Sequence, residues 1–260
     1  MEKTEQKKVV VIGLGNMGGA IAKALAASNY LVTGYDVREV KITKKIIIAA
    51  TLEEAFIERV PVILAVKPHY IAEMTAKIPD GRLIVSVAAG VPVHTIDGHR
   101  KVPGSTIRVM PNTPALVKQG ITALYANEIT SKVEKEFCLE IFSAVGEAFY
   151  IENEDWMHAI TAISGSGPAF VELFMQTMED GGVSLGLPRD VARKLVIQTV
   201  IGTGELVKKS KKAPQELIHD VTSPGGTTIA GLQTLKDYSV ERGILRAIRR
   251  AARRSRQLGG

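Results

Sequence analysis

Gly13, Gly15 and Gly18 stand in the stretch VVVIGLGNMGGAIAKAL, residues 9–25, spaced G-x-G-x-x-G behind an apolar run and ahead of a helical pattern. Such spacing suits one task. The first glycine permits a tight turn, the second lets backbone come close to a diphosphate, and the third lets helix pack against strand. Asn16 and Met17 then open the helix, where N–H groups without intrahelical partners face the anion. Asp36 closes the next strand-like run, 21 residues after Gly15. Its carboxylate can accept from ribose hydroxyls, which favours NADH and repels the extra phosphate of NADPH. Arg38 could instead pair with that phosphate. The chemistry is that of a nicotinamide dinucleotide, NADPH or NADH, with a slight lean to NADH.

Other groupings carry the rest of a reaction. Ala65-Val66-Lys67-Pro68 closes a Val-Ile-Leu run, and doubly wound sheets collect ligands at the carboxyl ends of their strands. Ala88, Ala89 and Gly90 follow the next run, and Asn112 and Thr113 lie in Met-Pro-Asn-Thr-Pro after the one beyond. Small residues and prolines make a rigid floor for a flat ring, and Asn112 and Thr113 can hydrogen-bond its carboxamide. Ser164-Gly165-Ser166-Gly167-Pro168 opens the first helix of the second half. Thr222-Ser223-Pro224-Gly225-Gly226-Thr227-Thr228 joins flexible backbone and hydroxyls to a helix start at Thr228, more than a cap requires. That reads as a grip for a small carboxylate. No histidine is placed as an acid: His158 and His219 are nearest and read as surface or capping residues. A single cysteine, Cys138, excludes a disulfide framework and a multi-cysteine metal site, and no metal is expected.

These groups need elements to hold them. Strands are expected at Val9–Ile12, Leu31–Tyr35, Ile46–Ala49, Val62–Val66, Leu83–Val87, Ile107–Met110, Ile121–Tyr125 and Ala148–Ile151. Helical patterns at Met17–Ala27, Leu52–Glu58, Tyr70–Lys77 and Ser131–Val145 alternate with them, the signature of a parallel sheet covered by helices. After Ile151 only helical periods remain. The fold class is α/β, with a dinucleotide-binding domain over residues 1–152 and an all-helical domain over 153–260. In the second half, Val183, Leu185, Val191, Leu195, Val196, Val200 and Ile201 spread around their helices, so a second subunit is the expected cover.

The 260 residues carry a net charge of +6, concentrated at Arg246, Arg249, Arg250, Arg253, Arg254 and Arg256. Ile244, Ile248, Ala251, Ser255 and Leu258 recur beside them at helical period, so one buried stripe with a solvated arginine face is expected rather than nucleic-acid binding. No apolar run reaches the ~18 residues that cross a bilayer. The expectation is a soluble, cytoplasmic protein that binds neither membrane nor nucleic acid.

The chain resembles the Δ1-pyrroline-5-carboxylate reductase family. The resemblance rests on VVVIGLGNMGGAIAKAL, AVKPHYIAEM, RVMPNTPALVKQGITALYAN, ITAISGSGPAFVELF, GLPRDVARKL and TSPGGTTIAGLQTL, in the family's order. It implies a Rossmann-type domain, then a helical dimerisation domain that interlocks with a second subunit, with decamers often built from dimers. It also implies hydride transfer from NADPH or NADH to the ring imine of 1-pyrroline-5-carboxylate, giving L-proline, the last step of proline biosynthesis. By the same likeness Ser223, Gly226, Thr227 and Thr228 hold the substrate carboxylate and ring nitrogen. Thr228 is the catalytic candidate, and Glu154 lies near the substrate from the partner subunit. Ala65, Val66, Lys67 and Pro68 match the cofactor-side loop. Tyr35-Asp36-Val37-Arg38 departs from the family's usual phosphate-binding pattern, and Asp220 replaces a frequent asparagine. The nearest rival, a β-hydroxyacid dehydrogenase, would want a helix-borne lysine, and none lies in Ser164–Gly186.

Overall fold

A computed structural model describes residues 6–259. Its eight strands form one sheet: β1 Lys8–Ile12, β2 Leu31–Tyr35, β3 Ile46–Ile48, β4 Val62–Leu64, β5 Ile84–Ser86, β6 Thr106–Met110, β7 Gly120–Ala126 and β8 Gly146–Tyr150. All eight lie where apolar runs predicted them. The strand order is β3-β2-β1-β4-β5-β6-β7-β8, so the chain builds outward from β1 in one direction and then restarts at β4 in the other. β1 and β4 are neighbours, and their carboxyl ends flank the point where the winding reverses. Every pair is parallel except β6 with β7. The short segment between those two strands holds a 3-10 helix, Thr113–Val117, and no crossover α-helix, so the chain returns antiparallel.

The helices among the strands are α1 Asn16–Ala27, α2 Leu52–Ala55, α3 Ile71–Lys77, α4 Val93–Gly98 and α5 Lys132–Ser143. Side chains of β1 alternate between two cores. Val9 and Val11 join Ile21, Leu25, Ile141 and Phe142 on the face covered by α1 and α5. Val10 and Ile12 join Leu64, Ile71 and Ile96 on the face covered by α3 and α4. Burial on both faces explains why these strands read as unbroken Val, Ile and Leu. The sequence pattern misses α4, a short helix that starts behind Pro92 and buries only Val93 and Ile96.

Helices α6 Trp156–Ile160, α7 Gly167–Ser184, α8 Arg189–Ser210, α9 Pro214–Asp220, α10 Thr227–Asp237 and α11 Val240–Leu258 follow. Packing divides the chain into Met1–Ser166 with Arg249–Gly260, and Gly167–Ile248. Strands give way to helices near residue 152, but α6 stays with the sheet unit because its Met157 packs with Ala123 and Ile151. Ser164-Gly165-Ser166-Gly167-Pro168 leads into α7, the first helix of the second unit, as expected, with Gly167 and Pro168 its first two residues. Between α6 and α7 the backbone widens into a π-helical turn, Thr161–Gly165. Of the apolar stripe expected on α11, Ser255 is buried, Ile248 and Ala251 are half-buried, and Ile244 and Leu258 remain exposed.

Candidate active site

The glycine motif forms the turn from β1 into α1. Gly13 takes φ of +91°, and a Cβ there would lie 2.6 Å from the Ala65 carbonyl oxygen. A Cβ on Gly18 would lie 1.9 Å from the Gly13 oxygen and 2.8 Å from Ala65 Cβ. Only glycine fits this close approach, which binds the first motif to Ala65-Val66 at the end of β4. Gly15 precedes α1 without any side-chain cap, and no acidic residue occupies the helix's first turn. The amides there are free to meet an anion. A cavity of about 400 Å³ beside α1 is walled by Gly15, Asn16, Lys23, Lys41 and Lys118 among others.

Asp36 turns back onto this loop. Its Oδ2 accepts from Leu14 N at 2.8 Å, and its Oδ1 accepts from Arg38 N at 3.0 Å. The Arg38 guanidinium donates to both oxygens, at 3.1 Å from Nε and 3.3 Å from Nη2. Asp36 keeps 5% of its side chain exposed and Arg38 keeps 70%. Burial raises the Asp36 pKa, but the bonds from Arg38 and Leu14 outweigh it and hold the carboxyl below its usual range. The guanidinium also lies near Gly15, with Nη2 3.7 Å from where a Cβ on Gly15 would stand. Acid and base are thus one neutral pair beside the diphosphate loop.

Lys67 and Pro68 lead from β4 into a short 3-10 turn, Pro68–Tyr70, with Lys67 exposed. Ala88, Ala89 and Gly90 follow β5; Ala88 and Gly90 are buried and Ala89 half-buried. Asn112 is buried and its Oδ1 accepts from Ile121 N at 2.9 Å, leaving the amide nitrogen as its free function. Thr113 stands exposed at the next turn. In this unit the structure joins Gly13–Gly18, Asp36, Arg38, Ala65 and Val66 around one loop.

Glu154 lies in the same unit, just ahead of α6. Its Oε1 accepts from Val93 N at 2.8 Å and from Arg108 Nη1 at 3.0 Å. Arg108 is 3% exposed, and burial pushes its pKa down although Glu154 opposes the shift. Sequence reading missed Arg108, although one charge inside the Thr-Ile-Arg-Val-Met run of β6 was a usable signal. His158 is half-buried, and its Nδ1 lies 3.0 Å from the Oγ of Ser255, itself 2% exposed. It is therefore not a surface residue, whereas His219 is exposed in the last turn of α9. No group of three His, Cys, Asp or Glu able to hold a metal occurs among the described residues.

The second unit carries the other grip. Gly225 takes φ of +70°, and Gly226 N donates to Ser223 O at 3.1 Å, which turns the chain into α10. Gly226 caps α10 with no side-chain hydrogen bond. Thr227 and Thr228 stand in the first turn, Thr228 half-buried, with Ser223 exposed beside them. The helix begins one residue earlier than the sequence suggested. Amides and hydroxyls converge there without a carboxylate in the first turn, which suits an anionic ligand. Asp220 is occupied by Lys212 Nζ at 2.7 Å.

Comparison with known proteins agrees with this layout. Residues 154–258 match the model for pyrroline-5-carboxylate reductase dimerisation, and residues 8–90 match that for NADP oxidoreductase, coenzyme F420-dependent. A pyrroline-5-carboxylate reductase of Synechocystis is 43% identical over 76% of this chain and 74% of its own. That of Pseudomonas aeruginosa is 35% identical over 96% of each. The crystal structure of Plasmodium falciparum pyrroline carboxylate reductase with NADP bound superposes at a TM-score of 0.90 with 31% identity, over 98% of this chain and 99% of that one. With its glycine loop at the switch point and an uncapped Pro-Gly-Gly-Thr-Thr helix start, this chain belongs to the pyrroline-5-carboxylate reductase family.

Proposed function

We infer that the chain reduces 1-pyrroline-5-carboxylate to L-proline, with a nicotinamide dinucleotide as the reductant. The observation that carries the reading is the uncapped start of α10 behind Ser223-Pro224-Gly225-Gly226, in a chain of this family. A carboxylate fits amides that no side chain satisfies, and the Thr228 hydroxyl beside them suits a ring nitrogen. Ser223, Gly226, Thr227 and Thr228 form this grip. Glu154 stands in the first unit with its Oε1 serving Val93 and Arg108, and its place near the substrate rests on the family resemblance alone.

The first unit fits the cofactor. Gly13, Gly15 and Gly18 with the amides of Asn16 and Met17 would hold the diphosphate, and Asp36 with Arg38 the adenosine ribose. Ala65, Val66, Lys67, Pro68, Ala88, Ala89, Gly90, Asn112 and Thr113 would line the way to the redox ring. When bound, the reduced nicotinamide supplies the hydride that adds to the carbon of the C=N bond. The protein's part is orientation and charge placement. An unperturbed hydroxyl is a poor acid, so Thr228 relays a proton from water to the ring nitrogen, or holds an imine that arrives protonated. The neutral Asp36–Arg38 pair accepts both NADH and NADPH: Arg38 answers a 2′-phosphate, and Asp36 answers ribose hydroxyls once Arg38 swings aside. That softens the lean to NADH, since Arg38 sits on both carboxylate oxygens.

Dimers are the working assembly, and we extend them to a decamer built from dimers, in the cytoplasm. Among the described residues no helix is long and apolar enough to cross a membrane, and the buried thiol of Cys138 fits a reducing compartment. The test is oxidation of NADPH or NADH on adding pyrroline-5-carboxylate, with proline formed in equal amount. No oxidation above the background without enzyme would overturn the reading.

A further inference from the structure

The last turn of α11 and the start of α6 meet the segment that follows β5, far in sequence from both. Gly90 takes φ of +86°, and a Cβ placed on it would lie 2.6 Å from Ser255 O and 2.8 Å from Leu258 Cβ. The contact is reciprocal: a Cβ on Gly259 would lie 1.9 Å from the Gly90 oxygen and 3.2 Å from Pro92 Cδ. Two backbones touch here because both residues lack a side chain. Neighbouring bonds fix the two sides of this contact. Ser255 is held by His158 of α6 at 3.0 Å, and Val93 N, three residues after Gly90, is held by Glu154 Oε1 at 2.8 Å. Glu154 is pinned in turn by the buried Arg108 on β6.

We propose that the carboxyl-terminal end of α11 and the leading edge of α6 form a clamp that fixes the loop Ala88-Ala89-Gly90, with His158, Glu154 and Gly259 as positioning residues for the nicotinamide cofactor. None of the three needs to touch the cofactor. Gly90 cannot shift toward α11 because that space is filled, and it cannot move away without opening the contact with Gly259. A loop held on both sides before binding loses less freedom on binding, so the clamp shows itself as affinity for the dinucleotide. The proposal rests on the reading of Ala88–Gly90 as part of the cofactor site, and the test separates the two.

The probe is NADPH alone, titrated against the full-length protein by fluorescence of the reduced nicotinamide, followed by steady-state kinetics. His158→Ala removes the bond to Ser255, and Gly259→Ala forces the two backbones apart. Each is expected to weaken NADPH binding by about fivefold or more, and to raise KM for NADPH while kcat and KM for the imine stay within about twofold. His158→Asn, whose amide can replace Nδ1 toward Ser255, is expected to restore binding to within about twofold of the parent. Should Gly259→Ala fail to fold by circular dichroism, the His158 pair decides. Ala89→Val is the control for the loop itself. If it weakens binding while His158→Ala and Gly259→Ala leave it at the parent's value, the clamp is overturned. An asparagine variant as weak as the alanine also overturns it, since packing alone would then account for the loss. If Ala89→Val binds as the parent does, the loop's place at the cofactor falls, and the clamp's function with it.

Discussion

At Asp36, Arg38, Thr228 and His158 the chemistry turns on a charge or hydrogen-bond partner. For Asp36 and Arg38 the partner is the other. Arg38→Ala leaves the Asp36 carboxylate without its countercharge, facing any 2′-phosphate. The ratio of kcat/KM for NADPH to that for NADH is expected to fall by about tenfold, read from parallel assays with the two dinucleotides. An unchanged ratio would mean that Arg38 has no part in the choice. Thr228→Ala removes the hydroxyl from the first turn of α10 while keeping helix and amides. Turnover is expected to drop by about tenfold to hundredfold with the melting temperature unchanged, and equal kinetics would strip Thr228 of its role. His158 supplies a pH signature. Burial, then the charges of Arg108 and Arg256, push its pKa down, while Asp155 and Glu154 oppose them weakly. The folded imidazole refuses a proton that the unfolded chain takes up below about pH 6.5. This contribution to stability is therefore complete above that pH and is lost as pH falls. Melting temperature is expected to decline on acidification below pH ~6.5, less steeply in His158→Asn; equal slopes would show that His158 does not set it.

At the scale of elements, the site is held by helices pressed on both faces of the sheet. The helix α5 begins with a reciprocal cap: Glu134 N donates to Ser131 Oγ at 3.3 Å and Ser131 N donates to Glu134 Oε2 at 2.9 Å. Three turns later it buries Phe142 completely against the core that also holds Val9, Val11 and Leu25. Phe142→Ala is expected to cost about 3–5 kcal/mol by the lost transfer energy and the cavity left behind. Urea unfolding measures it, and a loss below about 1 kcal/mol would show that neighbours collapse into the space. The helical pattern of α5, expected over Ser131–Val145, was legible along the chain. The π-helical turn before α7 was not, because a five-residue widening leaves no period of its own.

For the whole molecule, the second unit carries the apolar surface for which a partner is expected. Phe170, Leu173 and Phe174, at i, i+3 and i+4, share one face of α7, and that face stays exposed, Phe174 at 52%. On α8, Leu195, Ile197 and Ile201 are exposed as well, while Ala192 and Val196 are buried. A soluble monomer seldom leaves so much contiguous apolar surface in water. Residues 154–258 match a dimerisation family, which favours a second copy as the cover. Phe174→Asp is expected to shift sedimentation at micromolar concentration from a dimer or larger to the mass of a single chain, with activity falling alongside. Retention of the full assembly would place the interface elsewhere.

Sequence alone determined the eight strands and most of the helices, the glycine turn and the Pro-Gly-Gly-Thr-Thr helix start, and it raised the expectation of a partner. Each is written in a stretch short enough for periodicity, turn chemistry or a motif to show it. Tertiary structure decided the rest. It placed Arg38 across both oxygens of Asp36, gave Glu154 to Arg108 and Val93, and paired His158 with Ser255 across 97 residues of chain. It also packed α6 with the sheet and set Gly259 against Gly90. A hydrogen bond or a backbone contact of this kind depends on where two distant segments come to rest. No local pattern encodes that position, because it is fixed by the packing of the entire sheet and its helices.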